Sequence, residues 1–224
     1  YIKLTNKNKK KLLDLHYRLN KIIYNSKIKK NLYDYGEGYF YQSFSSIFIS
    51  GFRNTSERIK LMNLNKIVKN KTVLEIGCNS GFIACSIASN TKSIVAFDIM
   101  EDLIKLANEV KAYKNIKNII FYKSSFEKLN IKKKFNVILS FANHLTYDNQ
   151  TKQTLSQYFK KCFDLCNKNG YLLFESHPPV YEGENLKKAI FTIKKFFIIK
   201  KQKVLNYGSF LDRGRTFIVA QKKD

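Results

Sequence analysis

Residues Val73–Phe82 read VLEIGCNSGF. Val73, Leu74 and Ile76 give a short buried-type strand, and the run is interrupted by one acid, Glu75. The chain then breaks into Gly77-Cys78-Asn79-Ser80-Gly81 before apolar residues return at Phe82 and Ile83. Gly77 lets the backbone turn and a ligand come close, and Gly81 lets the following helix pack near the strand. The spacing departs from the GxGxxG of dinucleotide loops. Asn79 occupies the middle of the loop, and Asn tolerates left-handed backbone better than most residues.

Working outward, strand-like and helix-like segments alternate. Strand patterns fall at 71–76, 92–98, 118–123, 135–142 and 170–176, with helix patterns at 81–90, 101–113 and 153–166. The last helix is expected to stop at Asn169-Gly170, and Cys162 and Cys166 fall on it at i, i+4. Segments 194–207 and 215–223 read as two more strands with little helix between them, an antiparallel pair closing one edge. This rhythm predicts an α/β fold, a doubly wound, mostly parallel, seven-stranded Rossmann-like sheet with a C-terminal antiparallel hairpin.

Upstream, Leu12, Leu15, Leu19, Ile22 and Ile23 sit at helical spacing within a Lys-rich stretch over 8–30. The aromatic segment YDYGEGYFYQSF (33–44) predicts an ordered loop or short strand. Asn54 followed by Glu57 predicts a helix start, with the helix running to about Val68. Residues 1–70 therefore read as a helical and aromatic cap on a domain spanning 71–224. There is no internal repeat and no break between independent domains.

The chain has 224 residues, 44% of them hydrophobic, enough for one large folded unit. No apolar stretch is long enough to span a bilayer and no secretory pattern opens the chain, so a cytoplasmic protein is expected. The formal charge of +24 raises the prospect of a nucleic-acid partner. Only five of the 41 basic residues are Arg, however, and Asn and Ile are abundant. That pattern fits the codon drift of an AT-rich genome, whereas phosphate-binding surfaces favour Arg. Cys78, Cys85, Cys162 and Cys166 form no CxxC pair and keep no His company. Reduced thiols are expected, with no metal site.

Asp98 ends the second strand pattern of the domain, and a carboxylate there can accept both hydroxyls of a ribose. Loop and acid together suggest an adenosine-bearing cofactor. On VLEIGCNSGF, VAFDIM (95–100), FNVILSFANHLTY (135–147) and GYLLFESH (170–177), the chain resembles the class I S-adenosylmethionine-dependent methyltransferases, from about Lys71 onward. The resemblance implies S-adenosyl-L-methionine as cofactor and S-adenosyl-L-homocysteine as product. It assigns the methionine part to Glu75 and the loop Gly77, Cys78, Asn79 and Gly81. The ribose falls to Asp98, and the adenine to Ile99 and Met100 with Ser125 and Phe126. The segment KSSFEKL (123–129) lacks the acid often found there in that family. Arg53, with Arg58 as the alternative, would meet the cofactor carboxylate.

Substrate chemistry is expected at the ends of the fourth and fifth strands. His144, beside Asn143, could take a proton from a hydroxyl or ammonium nucleophile, or could hold a loop. Glu175 and His177 share one side of a strand end by the period of two and form a second candidate acid–base pair, or a capped strand end. Tyr35, Tyr39 and Tyr41 would line the substrate as a lid, or form a packing collar. His16 is expected at ordinary surface. Arg213 and Arg215 fall at the turn before the last strand, where they serve a tight turn or could contact a phosphate or carboxylate. The function expected is methyl transfer to oxygen or nitrogen of a small polar metabolite or sugar-type substrate. RNA methylation and non-catalytic cofactor binding are the alternatives.

Overall fold

The computed structural model describes residues 6–28, 40–143, 152–178, 182–207 and 214–223. The chain opens with α1 (Asn6–Ile28), then β1 (Phe40–Gln42) and β2 (Gly51–Arg53), a small parallel pair of their own. Next come α2 (Thr55–Met62) and α3 (Leu64–Ile67). Asn54 caps α2 by accepting the Glu57 N–H at 3.1 Å, as its residue type favours. The helix expected to reach Val68 is broken at Asn63, which adopts left-handed backbone (φ 54°) and splits it in two.

Seven strands form the main sheet: β3 (Thr72–Ile76), β4 (Ser93–Asp98), β5 (Ile119–Lys123), β6 (Phe135–Phe141), β7 (Cys166–Glu175), β8 (Phe197–Leu205) and β9 (Arg215–Lys222). Their order is β5-β4-β3-β6-β7-β9-β8. The first five pair in parallel, and β9 runs antiparallel to both β7 and β8. The expected mostly parallel sheet with an antiparallel C-terminal edge is therefore present. The helices between strands are α4 (Phe82–Ile87), α5 (Glu101–Tyr113), α6 (Leu155–Leu165) and α7 (Gly183–Phe196).

The central strands are apolar on both faces because helices cover both, and each face builds its own core. Val73, Val137, Leu139 and Leu173 join the core beneath α1, α2, α4 and α5. Leu74, Ile76, Ile138, Leu172 and Phe174 join the core beneath α6 and α7. Full burial of each such side chain contributes roughly 1.5–3 kcal/mol relative to exposure. Glu75 and Glu175 share the first face, the one covered by α2.

Two boundaries differ from expectation. Helix α6 ends at Leu165 rather than at Asn169-Gly170, and Cys166 already opens β7. Cys162 and Cys166 are therefore on different elements. The strand ladder takes over early because Cys166 pairs with Phe135. The second difference is α7, which fills residues left unassigned before 194 and also takes 194–196, expected as the start of a strand, so that β8 begins at Phe197. The helix begins with an acidic first turn at Glu184, ends in Lys194 and Lys195, and buries Ala189 and Ile193. These charges suit the helix dipole.

The N-terminal segment is tied to the first face. Arg18 Nε donates to Glu109 of α5 at 2.8 Å, and Leu15 and Leu19 are fully buried. His16, expected at ordinary surface, is half-buried and hydrogen-bonds the Ile47 carbonyl through Nε2 at 2.7 Å. The correction follows from the side of α1 that meets the 3-10 turn at Ser45–Ile47.

Candidate functional site

The site lies at the carboxyl ends of β3, β4, β6 and β7. Chain order reverses at β3, whose neighbours β4 and β6 are reached in opposite directions. Ligands of such sheets bind at this switch point. The β3–α4 loop turns here with Gly77 (φ 63°), Asn79 (φ 52°) and Gly81 (φ 70°) all left-handed. Gly77 is exposed, which leaves its backbone open to close approach, while Cys78 and Gly81 are buried. The Cys78 N–H donates to the Phe97 carbonyl at 2.9 Å, stitching the loop to β4. Cys78 itself points into the core, and burial pushes its thiol well above the ordinary range. Only its backbone remains for a ligand.

Asp98 ends β4 and is held by the backbone around it. Oδ2 accepts the Asn79 N–H at 2.9 Å, and Oδ1 accepts the Met100 N–H at 3.1 Å. Asn79 is fixed in turn, its Oδ1 accepting the Ser80 N–H at 2.8 Å. The loop and the acid are therefore one construction. Asp98, Ile99 and Met100 are half-buried at its rim.

Glu75 is 3% exposed, and its Oε2 has no hydrogen-bond partner among the described residues. Burial raises its pKa to about 8, although the Arg58 charge and the Ala84 N–H pull the other way. A buried acceptor without a donor costs free energy until something supplies one. An amino group brought over Gly77 would do so.

Asn143 closes the loop from the β6 side. Its Nδ2 donates to the Ile76 carbonyl, and a side chain at Gly77 would collide with its amide. The preceding Ala142 is left-handed (φ 58°), a strained state for alanine that turns Asn143 back over β3. Nothing in the sequence flagged Ala142, since local residue type gives no warning of a φ imposed by tertiary contacts.

Where the resemblance puts the adenine, Ser125 is half-buried and its Oγ accepts the Lys128 N–H at 3.2 Å. Phe126 is directed away from the loop: it stacks on Phe97 at 6.1 Å and meets Tyr158 edge-on at 4.9 Å within the second core. Any part it takes in holding an adenine belongs to its backbone.

Arg58 is 2% exposed, and its Nη2 donates to Glu175 Oε2 at 2.6 Å. The Tyr207 hydroxyl donates to Glu175 Oε1, and Arg215 Nη1 lies 3.7 Å from Oε2. Burial would push the Glu175 carboxyl up, yet Arg58 and Arg215 together hold it below the usual range. Glu175 thus stays ionised and fully buried, which suits a counter-ion and not a base facing substrate. The base role expected for it from the sequence is corrected on that ground. His177 is half-buried, and burial with the nearby Arg215 charge lowers its pKa, so the ring is neutral at pH 7. The two residues expected as one acid–base pair thus occupy different environments.

Arg53 is half-buried, with its guanidinium 5.9 Å from the Tyr41 ring centre, 5.6 Å from Phe52 and 5.7 Å from Tyr207. Phe40 and Phe44 pack on Phe82 with centroids 5.5 and 5.4 Å apart. That end of the aromatic segment is a collar on α4. His144, Tyr35, Tyr39 and Arg213 lie outside the described residues. The residue that sequence reasoning missed here is Tyr207; Arg215 was named from the sequence for a phosphate or carboxylate contact and lies 3.7 Å from the Glu175 carboxylate. Arg58 had been named only as a second choice.

Comparison with known proteins bears on the family and the fold. A family model described as "Methyltransferase domain" matches residues 67–209. The chain belongs to that family. Its class is that of the S-adenosylmethionine-dependent methyltransferases, as the resemblance implied. The N-methyltransferase NodS of Bradyrhizobium japonicum WM9, solved in complex with S-adenosyl-L-homocysteine, shares the fold. Its TM-score is 0.63 at 14% identity, over 77% of this chain and 90% of that one. The malonyl-[acyl-carrier protein] O-methyltransferase of Bacillus anthracis is 29% identical over 46% of this chain and 36% of its own length. The release factor glutamine methyltransferase of Streptococcus pneumoniae is 28% identical over 48% and 38%. The chain thus spans well under half the length of these two relatives.

Among the described residues no helix is long and apolar enough to cross a membrane. None of their His, Cys, Asp and Glu side chains gather into a group that could hold a metal.

Proposed function

We propose that this chain transfers a methyl group from S-adenosyl-L-methionine to an oxygen or nitrogen of a small polar metabolite. One observation carries the reading. Two carboxylates, Glu75 with a buried oxygen in want of a donor and Asp98 braced by two backbone amides, flank the exposed backbone of Gly77. That arrangement fits an amino group at one acid, ribose hydroxyls at the other and a chain crossing between them. When bound, the cofactor supplies an electrophilic methyl group on a sulfonium.

The protein's own share is positioning and proton handling. Asp98 accepts ribose hydroxyls, Glu75 accepts from the amino group, and the backbone of Cys78, Asn79 and Gly81 fixes the approach. Ile99, Ser125 and the Phe126 backbone border the adenine. Arg58 or Arg53 meets the cofactor carboxylate. Residues 1–70 act as the cap, with Tyr35, Tyr39 and Tyr41 lining the acceptor alongside Asn143. His177, neutral at pH 7, accepts the proton released by the acceptor, and His144 is the alternative base. Glu175 acts as a positioning residue by fixing Arg58.

RNA methylation is favoured by one observation, the +24 charge. Seven of the 36 lysines are poorly placed for it. Lys69 and Lys71 precede β3, Lys92 precedes β4, Lys117 precedes β5 and Lys132–Lys134 precede β6. These are amino ends of strands, on the opposite side of the sheet from the site.

Methyl-labelled cofactor incubated with the protein and a lysate of the source organism tests the proposal after separation into small-molecule, protein and RNA fractions. Label in small molecules is the expected result. Label confined to RNA or protein would overturn it.

A further inference from the structure

Arg58, Arg215 and Glu175 are 2%, 3% and 0% exposed at their side chains. Two positive charges therefore share one carboxylate in a buried place; Glu75, the other buried acid on this face, feels Arg58 only at a distance and holds its proton up to about 8, so among the described residues one positive charge is left over. Burying an unmatched charge is costly unless a counter-charge arrives. The surplus is not hidden inside hydrogen bonds. Arg215 Nε and Nη1 have no hydrogen-bond partner among the described residues, and neither do Arg58 Nε and Nη1. Glu175 cannot serve them all. Its Oε2 is taken by Arg58 Nη2, its Oε1 by Tyr207, and Arg215 Nη1 stays 3.7 Å away, beyond hydrogen-bond reach.

The surroundings repeat the sign. Arg53, stacked on Tyr41 and Tyr207, is close enough to Glu175 and His177 for its charge to act on both. Arg215 acts on His177 in the same way. Arginine, with its fixed fork of donors, is the residue suited to carboxylates and phosphates. It is scarce here, at five in 224 residues, yet three of the five meet at the ends of β7 and β9.

We propose that the acceptor substrate carries an oxyanion, a carboxylate or a phosphate, which docks on Arg215 with Arg53 beside it, next to His177. This deepens the proposed function and rests on it. The anion would offset the charge that Glu175 leaves over by drawing out Arg215, whose Nε and Nη1 are shut off from water in this structure, and would fix the acceptor atom relative to the imidazole. A neutral or cationic acceptor would leave the surplus charge uncompensated.

The test uses protein saturated with S-adenosyl-L-homocysteine, so that the cofactor's own carboxylate is already placed. Malonate, inorganic phosphate and the neutral malonamide are titrated while the melting temperature is followed. Malonate or phosphate is expected to raise it and malonamide to leave it unchanged. The stronger of the two anions tells carboxylic acids from phosphate esters. Arg215→Gln should weaken the anion by about tenfold or more while the affinity for S-adenosyl-L-homocysteine stays within about twofold.

Arg215→Gln leaves Arg58 and Glu175 matched one to one, and Arg215→Met, a neutral side chain of similar length without polar atoms to bury, guards against misfolding of the glutamine variant. Arg215→Met too should lose the anion response. Equal responses to malonate and malonamide would overturn the inference. So would an anion response that survives in both variants, the mark of the lysine surface. Collapse of cofactor affinity in Arg215→Gln would assign Arg215 to the cofactor and overturn it as well. Failure of the wild type to bind S-adenosyl-L-homocysteine would instead strike the methyl-transfer reading itself.

Discussion

Arg58 on α2 and Glu175 at the end of β7, 117 positions apart, meet at 2.6 Å with both side chains almost wholly excluded from water. The pair fastens the N-terminal cap to the strand end beside the site. Its effect is clearest by contrast with Glu75, which is equally buried on the same sheet face. Glu175 has arginine in contact and stays ionised, whereas Glu75 feels Arg58 only at a distance and is pushed up to about 8. Direct hydrogen bonding to a cation decides which buried carboxyl keeps its proton.

Arg58→Ala removes the arginine in hydrogen-bond contact with Glu175 and leaves it Tyr207 and Arg215, the latter 3.7 Å away. It is expected to cost about 1.5–3 kcal/mol, the worth of a hydrogen bond to a charged group. Arg58→Met combined with Glu175→Gln should cost less than the sum of the two single changes. Urea unfolding of the single and double variants measures the coupling. Simple additivity would mean that the pair has no special interaction.

The proton on Glu75 makes both stability and ligand binding depend on pH. The native carboxyl holds its proton up to about 8, against 4.5 when unfolded, so this stabilising contribution is complete below 4.5. It is then lost as pH rises toward 8, by at most about 1.4 kcal/mol per pH unit. Glu75→Gln should flatten that dependence in melts taken across the window. Ligand binding should run the other way. An amino group favours ionised Glu75, so affinity for S-adenosyl-L-homocysteine should rise toward pH 8 and a proton should be released on binding. Calorimetry in buffers of different ionisation enthalpy reads that proton directly.

The two glycines of the loop should fail differently. A Cβ at Gly81 would stand 2.7 Å from the Phe121 ring and 2.8 Å from the Ala107 Cβ, inside the core and at φ 70°. Gly81→Ala should destabilise the fold by about 2 kcal/mol or more. A Cβ at Gly77 meets only the Asn143 amide, a side chain able to move. Gly77→Ala should cost about 1–2 kcal/mol through its φ of 63° while weakening cofactor binding strongly. Thermal melts set beside S-adenosyl-L-homocysteine titrations separate the two cases.

Asp98→Asn keeps the shape of the side chain but replaces one of two accepting oxygens with a donor. Either the Asn79 or the Met100 amide then faces an N–H group. We expect a tenfold or larger loss of affinity for S-adenosyl-L-homocysteine, about 1.4 kcal/mol, with a smaller change in stability. Unchanged affinity would remove Asp98 from the ribose role.

Local pattern was enough for the scaffold and for the glycine loop at its switch point. The apolar runs, the helical spacing between them and the turn-forming residues of Gly77–Gly81 each act within a few positions. The alternation of strands and helices then restricts the topology to a doubly wound sheet. Asp98 stood out because it closes a strand, and in such a sheet the carboxyl ends of strands face the ligand; Glu75 was singled out by the family resemblance. The arginine arrangement had no such signal. Arg58, Glu175, Tyr207 and Arg215 sit on four separate segments, and nothing in their spacing says that one carboxylate will be shared among them. Whether a buried acid is a base or a counter-ion depends on which cation reaches it through space. Burial multiplies the strength of that interaction, and the folded chain alone decides both burial and partner.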